Sequence, residues 1–209
     1  MFAFSNGDML ITPGFGLGAS SGTATVWSGA DLSYYLTNGS NTTWFKDGTT
    51  KYSFAWSIGC GFDYFFNDSV SLTTGLSYDS VPFKVVYEKN TFISDCEITF
   101  KLSYLTIPLG VHWYPSIFMI GGGLYYGLTL SNDAKIKVGS SSENFSADTS
   151  SVLGFFIDAG VNLDVANGNL LLFAKFRSDL TYAYTEDGDL VTDVKTRAFT
   201  INAAYGFKL

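Results

Sequence analysis

Phe54-Ala55-Trp56-Ser57-Ile58-Gly59-Cys60-Gly61-Phe62-Asp63-Tyr64 alternates without a lapse between bulky apolar side chains and small or polar ones. Successive side chains of a strand point to opposite faces, so a period of two reads as β. One face carries Phe54, Trp56, Ile58, Cys60, Phe62 and Tyr64; the other carries Ala55, Ser57, Gly59, Gly61 and Asp63. Working outward, the same pattern recurs about eight times.

Which face points where decides the class of protein. A closed sheet of eight strands has an interior just wide enough for its own side chains or one small ligand. The large set includes Phe15 and Leu17; Leu72 and Leu76; Ile98, Phe100 and Leu102; Ile107, Leu109 and Val111; Leu124 and Tyr126; Phe155 and Ile157; Leu172 and Phe176; and Phe199 and Ile201. That set is too bulky for such an interior and must face outward, into something apolar. The other face, mostly glycine and hydroxyl, is unlike a soluble exterior, of which roughly 25–35% is charged. The expectation is an all-β protein, an eight-stranded antiparallel up-and-down transmembrane β-barrel. Convergence of Phe100, Ile157 and Leu172 on one centre would contradict it.

Composition agrees. The chain is 46% hydrophobic and 17% aromatic yet only 15% charged, against about 25% charged in ordinary soluble domains. It has no apolar run of about 18 residues, the length a membrane helix needs. In hydrocarbon every backbone polar group needs an internal partner, which leaves a closed sheet as the other spanning structure. The length of 209 residues fits one barrel domain over 1–209. Met1 to Asp8 lacks the basic and apolar regions of a secretory signal, so such a signal is expected to have been removed ahead of it. The net charge of −7 speaks against nucleic acid as a partner.

Strands are expected near Met9 to Ser20, Lys51 to Phe65, Ser69 to Tyr87, Cys96 to Trp113, Ser116 to Leu130, Ser151 to Val165, Asn169 to Tyr184 and Thr196 to Leu209. Phe66-Asn67-Asp68, Tyr114-Pro115 and Ala166-Asn167-Gly168 read as tight turns. The connections around Gly39, Asn90, Ser141 and Asp187 are longer. Short turns at one end and long loops at the other is the layout of outer-membrane barrels, with both termini at the short-turn, periplasmic end. Two strands change phase: one between Leu102 and Leu105, the other near Asp79, after which Val81, Phe83, Val85 and Tyr87 would face out. Each reads as a bulge, or else as the end of its strand.

Tyr104-Leu105-Thr106-Ile107-Pro108-Leu109-Gly110-Val111, then Trp113-Tyr114 and Gly121-Gly122-Gly123, resembles the centre of the bacterial outer-membrane β-barrel domain family (PorT-like), relatives in shape of OmpX and OmpW. The closing run Ile201, Ala203, Tyr205, Phe207 and Leu209 is similar to the signal read by the outer-membrane insertion machinery, though it ends in Leu209 where that signal usually ends in Phe. The resemblance implies outer-membrane location, that machinery as a partner during biogenesis, and an eight-stranded fold; it carries over no catalytic residue.

Strand charges fall on the small face: Asp63, Asp79, Glu97, Lys101, Asp158, Asp164, Lys175, Arg177 and Asp179. Asp63, Lys101, Asp158, Lys175, Arg177 and Asp179 are candidate lumen ion-pair residues, with Arg177 or Lys175 facing Asp158 on the neighbouring strand. They either fill a narrow interior or line a polar path through it. Tyr64, Phe65, Phe66, Trp113, Tyr114, Tyr182, Tyr184 and Tyr205 suit interfacial girdles. The first long loop, with Trp27, Tyr34, Tyr35, Trp44 and Phe45, is unusually apolar and is a candidate binding loop for a hydrophobic ligand.

Enzyme chemistry finds little to use. The only histidine, His112, faces inward near the periplasmic end, away from the rim where a Ser-His-acid set would act. Cys60 faces lipid and Cys96 sits near the loop end, so neither a bridge nor a metal site is expected, and no cofactor. Glu186, Asp187, Asp189 and Asp193 lack the spacing of a calcium loop. Two functions remain. One is a narrow channel or a lateral route for small, including hydrophobic, molecules. The other is a surface structural or adhesion barrel whose loops bind host or matrix partners. A soluble lipocalin-like carrier is a third reading.

Overall fold

The computed structural model describes residues 4–26, 49–87, 96–138, 141–146, 150–165, 168–183 and 191–209. Its strands are β1 (Met9–Val26), β2 (Thr49–Lys51), β3 (Ser53–Phe65), β4 (Val70–Ser80), β5 (Phe83–Tyr87), β6 (Cys96–Trp113), β7 (Phe118–Val138), β8 (Ser141–Ser146), β9 (Ser151–Val165), β10 (Gly168–Asp179) and β11 (Val191–Lys208). Eight of them close a ring in the order β1-β3-β4-β6-β7-β9-β10-β11 and back to β1, every pair antiparallel. β2 and β5 pair with each other beyond the breaks at Tyr52 and at Val81-Pro82, and β8 pairs with the loop-side end of β7. Closure leaves none of the eight ring strands as an edge, which is what hydrocarbon demands of a sheet, while β2 and β8 end the sheet beyond the ring.

The side chains on the two faces sort as the alternation requires over the membrane-spanning part. Ile157 and Leu172 point outward at 55% and 40% exposure. Asp63, Thr73, Asp158 and Asn202 are buried inside. The turns Phe66 to Ser69 and Tyr114 to Ile117 lie at the end where the termini meet, and there Leu209 N–H donates to the Met9 carbonyl.

Phe100 overturns part of the expectation, being 1% exposed and inside. Ile98 and Leu102 are buried with it, as are Val81, Phe83 and Val85, all of which the alternation had placed outside; the Tyr87 side chain lies outside the described residues. Neither strand changes phase here. On β6 the inward positions keep one parity through Ile98, Phe100, Leu102, Tyr104, Thr106, Gly110 and His112, all buried, with Pro108 half-buried among them, and on the other strand through Asp79, Val81, Phe83 and Val85. What changes is the solvent. An apolar band about 25 Å tall takes only about ten residues of a tilted strand. Beyond it the barrel stands in water, and the ordinary rule of apolar inside and polar outside returns.

A bulge does exist, on the partner strand. Ser103 pairs with Ser131 and Tyr104 with Thr129, so Leu130 of β7 is the extra residue. Inward positions on β7 accordingly pass from odd (Met119, Tyr125, Gly127) to even (Asn132, Ala134).

The interior therefore has three layers. At the loop end Val81, Phe83, Ile98, Phe100, Leu102 and Val194 form an apolar core in which the Phe83 and Phe100 rings stack at 4.5 Å. At the turn end Phe4, Leu10, Phe65, Tyr114 and Met119 form a second. Between them lies a polar layer. Phe65 and Tyr114 had suited an outer girdle; both are buried in the mouth instead, with Phe4 stacked on Phe65 at 3.9 Å.

Candidate functional site

The polar layer is built by register. Inward positions on β3, β4, β6, β9 and β10 bring Asp63, Asp79, His112, Asp158, Lys175 and Arg177 to the middle of the barrel. His112 lies between two carboxylates: its Nδ1 is 2.9 Å from Asp63, and its Nε2 is 3.3 Å from both oxygens of Asp158. Ser71 donates to the same Asp63 at 2.9 Å. A side chain at Gly121 would collide with this imidazole, since its Cβ would stand 1.9 Å from a His112 ring carbon.

Arg177 anchors the second group. Its Nη1 meets Asp79 at 2.5 Å across the lumen, a partner 98 residues away in the chain, and its Nη2 is 3.6 Å from Asp179. The guanidinium lies over the rings of Tyr125 and Tyr104, at 4.3 and 5.1 Å. Asp179 also accepts from the N–H and hydroxyl of Thr196, both at 2.7 Å, and from the hydroxyls of Tyr104 and Tyr125. A charge taken from water into a low-dielectric interior is costly unless it is both paired and hydrogen-bonded; Arg177 is paired with Asp79 and hydrogen-bonded through Nη1, whereas its Nε and Nη2, and Oδ1 of Asp158, are buried without a hydrogen-bond partner.

Of the six candidate ion-pair residues, Asp63, Asp158, Arg177 and Asp179 join these two networks. Lys175 sits opposite Asp158 in register, but its ammonium lies over the Phe156 ring at 4.8 Å and is not in an ion pair with Asp158. Lys101 is on the outer surface, exposed, because β6 is above the apolar band at that point. Glu97 is likewise outside, bonded to Lys84 at 2.8 Å, and Asp164 is exposed at the rim. His112 and Asp79 complete the networks. Both were legible as inward, but nothing local to either names a partner across the lumen. Trp27, Tyr34, Tyr35, Trp44 and Phe45 lie outside the described residues, as do Tyr184, Glu186, Asp187 and Asp189. Cys60 is exposed and Cys96 buried, both as free thiols.

The wall beside the polar layer has a weak seam. Between β4 and β6 the ladder pairs Thr74 with Leu109 and resumes at Ser77 with Thr106, so Gly75-Leu76 faces Ile107-Pro108 across an unpaired interval. Pro108 has no N–H to give to a ladder, and the Thr74 hydroxyl donates to its carbonyl at 2.9 Å. A cavity of about 140 Å³ lies behind the seam, lined by Gly75, Leu76 and Pro108 in the wall and by Asp63, Asp79, His112 and Arg177 inside.

Comparison with known proteins places this architecture. The sequence matches the family described as outer membrane protein beta-barrel domain over residues 11–182. The chain belongs to that family. Among solved structures, this outer-membrane barrel is similar to OprG of Pseudomonas aeruginosa, at 14% identity over 99% of this chain and 98% of that one, with a TM-score of 0.46. It is similar to Ail, the attachment invasion locus protein of Yersinia pestis, at 16% identity over 97% and 99%, TM-score 0.43, a structure solved with the heparin analogue sucrose octasulfate. It is also similar to the outer membrane protease OmpT of Escherichia coli, at 7% identity over 100% and 99%, TM-score 0.50. At such identities the likeness is one of fold. No curated protein matches the sequence. As a member of this family the barrel resides in the bacterial outer membrane, in contact with its lipid.

Proposed function

We propose that this barrel is a narrow lateral passage for small solutes, carrying them between its lumen and the bilayer through the β4–β6 seam, with no catalytic role. The observation that carries this reading is the unpaired interval at Gly75-Leu76 and Ile107-Pro108 with a cavity directly behind it. Apolar clusters bound the polar layer at both ends, and a route through the wall crosses neither. Its volume of about 140 Å³ is close to the roughly 150 Å³ cavity that admits benzene. A solute leaving sideways enters acyl chains, which favours small uncharged molecules with an apolar part.

The test closes the seam. Leu76 and Ile107 both project outward beside the interval, so Leu76→Cys with Ile107→Cys, in a Cys60→Ser background, places a disulfide across it. In liposomes loaded with a dye that responds to benzyl alcohol, uptake through the oxidised variant should fall to the protein-free rate and return on reduction. Uptake that persists with the bridge formed, verified by mass, overturns the lateral route. A parent barrel no faster than protein-free liposomes overturns transport altogether and leaves the adhesion reading, in which the barrel is an anchor for its loops.

A further inference from the structure

The outer wall above the apolar band carries a charge pattern that neither the lumen nor the seam explains. Register places Lys51 opposite Lys84, Lys84 opposite Thr99, and Thr99 opposite Lys135, one transverse row across β2, β5, β6 and β7. Lys101 and Lys137 lie two residues to either side of this row along β6 and β7, on the same outward face. The acids on that face among the described residues are Glu97, opposite Lys137 and bonded to Lys84 at 2.8 Å, and Asp133, opposite Lys101. Among the described residues, five lysines against two carboxylates leave a net charge of +3 on one sector of a chain whose total is −7.

Such a row works against the fold that displays it. Like charges directly opposite each other on neighbouring strands are destabilising, and Lys51 and Lys84 are such a pair. Strands stand about 4.8 Å apart, so the row holds its three ammonium groups and one hydroxyl within roughly 15 Å. An anion with several oxygen acceptors, bound across the row, would turn that repulsion into attraction.

The direction of the face selects the occupant. These side chains point sideways from the wall rather than upward from the loops, and they begin where the outward residues stop being Leu105, Ile107, Leu124 and Leu128. Whatever meets them stands beside the barrel, at the level where acyl chains give way to headgroups. We infer that this sector is a binding site for the phosphorylated headgroups of outer-leaflet lipid, held by Lys51, Lys84, Lys101, Lys135 and Lys137. The site is independent of any passage through the seam. Basic side chains near an anionic surface attract it roughly additively, and the attraction fades within a Debye length of salt.

The test uses the whole barrel in phosphatidylcholine nanodiscs, with short-chain phosphatidic acid as the probe and native mass spectrometry as the readout. The parent should retain phosphatidic acid in preference to added phosphatidylcholine. Lys51→Gln with Lys135→Gln and Lys137→Gln should weaken that retention about a hundred-fold, and the same three positions changed to Arg should restore it. Lys208→Gln, at the opposite rim, serves as the control and should leave it unchanged. Equal retention by the Gln variant and the parent overturns the site. Displacement of the lipid by inorganic phosphate at matching concentration overturns lipid as the occupant. Displacement by a soluble sulfated oligosaccharide does the same and transfers the sector to a soluble polyanion.

Discussion

Arg177 shows how a single residue can hold a barrel's interior together. It is 6% exposed, ion-paired with Asp79 and Asp179 and stacked against two tyrosines. Removing one member of a buried charge group costs more than the group is worth, because the partners stay behind uncompensated. Arg177→Leu should therefore lose about 3–5 kcal/mol of stability in a denaturant titration of the refolded barrel, and Arg177→Lys, which keeps the charge but loses the planar stack, should lose less. A loss equal to that of an ordinary lumen leucine substitution would show that the network merely fills space. The alternation made Arg177 legible as inward. Its partner was not, since 98 residues separate it from Asp79 and only closure of the ring places β4 across from β10.

At the scale of elements, the segment before β1 acts as a stopper. Gly7, at a φ of +93° that glycine tolerates without penalty, turns the chain so that Phe4 enters the turn-end mouth and stacks on Phe65. Gly7 N–H donates to the Phe65 carbonyl at 2.9 Å, and Asp8 is clasped by Lys208 at 2.6 Å. That ammonium holds the Asp8 carboxyl below the usual carboxylate range. A lowered value in the folded state means the clasp contributes at neutral pH and is lost as the pH falls through that lowered value. Acidification should thus speed hydrogen exchange at the Gly7 and Leu209 amides, after correction for intrinsic rates, and Asp8→Asn should reproduce the effect at neutral pH. Unchanged protection in Asp8→Asn would show that the Phe4 stack alone seats the segment. The phase changes read on two strands resolve into a change of solvent along inward faces of constant parity, and a bulge lies instead at Leu130 on β7, a third strand. Sequence pattern registers a change of residue type on a face, and a bulge and a change of solvent produce the same signal.

Over the whole molecule, one surface meets two solvents. Ile157 lies mid-strand on the lipid face of β9, and Thr99 lies outward on β6 beyond the apolar band. Ile157→Lys should cost about 2–4 kcal/mol in folding into bilayers, and Thr99→Lys about 0–1, measured by denaturant-driven refolding into vesicles. Equal costs at the two positions would mean that the band extends further up the wall than the polarity of β6 indicates. The eight strands, their antiparallel order, the short-turn end and the outward face of the spanning part were all legible, because period-two alternation and turn residues are local properties.

The sequence by itself therefore determined the class of fold, its membrane and the inward side of most strands, since each follows from side chains within one strand. Only the tertiary structure decided who pairs with whom: His112 between Asp63 and Asp158, Arg177 on Asp79, and Gly75 facing Pro108 across a gap. It also decided where lipid ends and water begins along each strand, and so put Phe100 inside and Lys101 outside. The physical reason is that these contacts join residues far apart in the chain, and their geometry exists only once the ring has closed at a particular register.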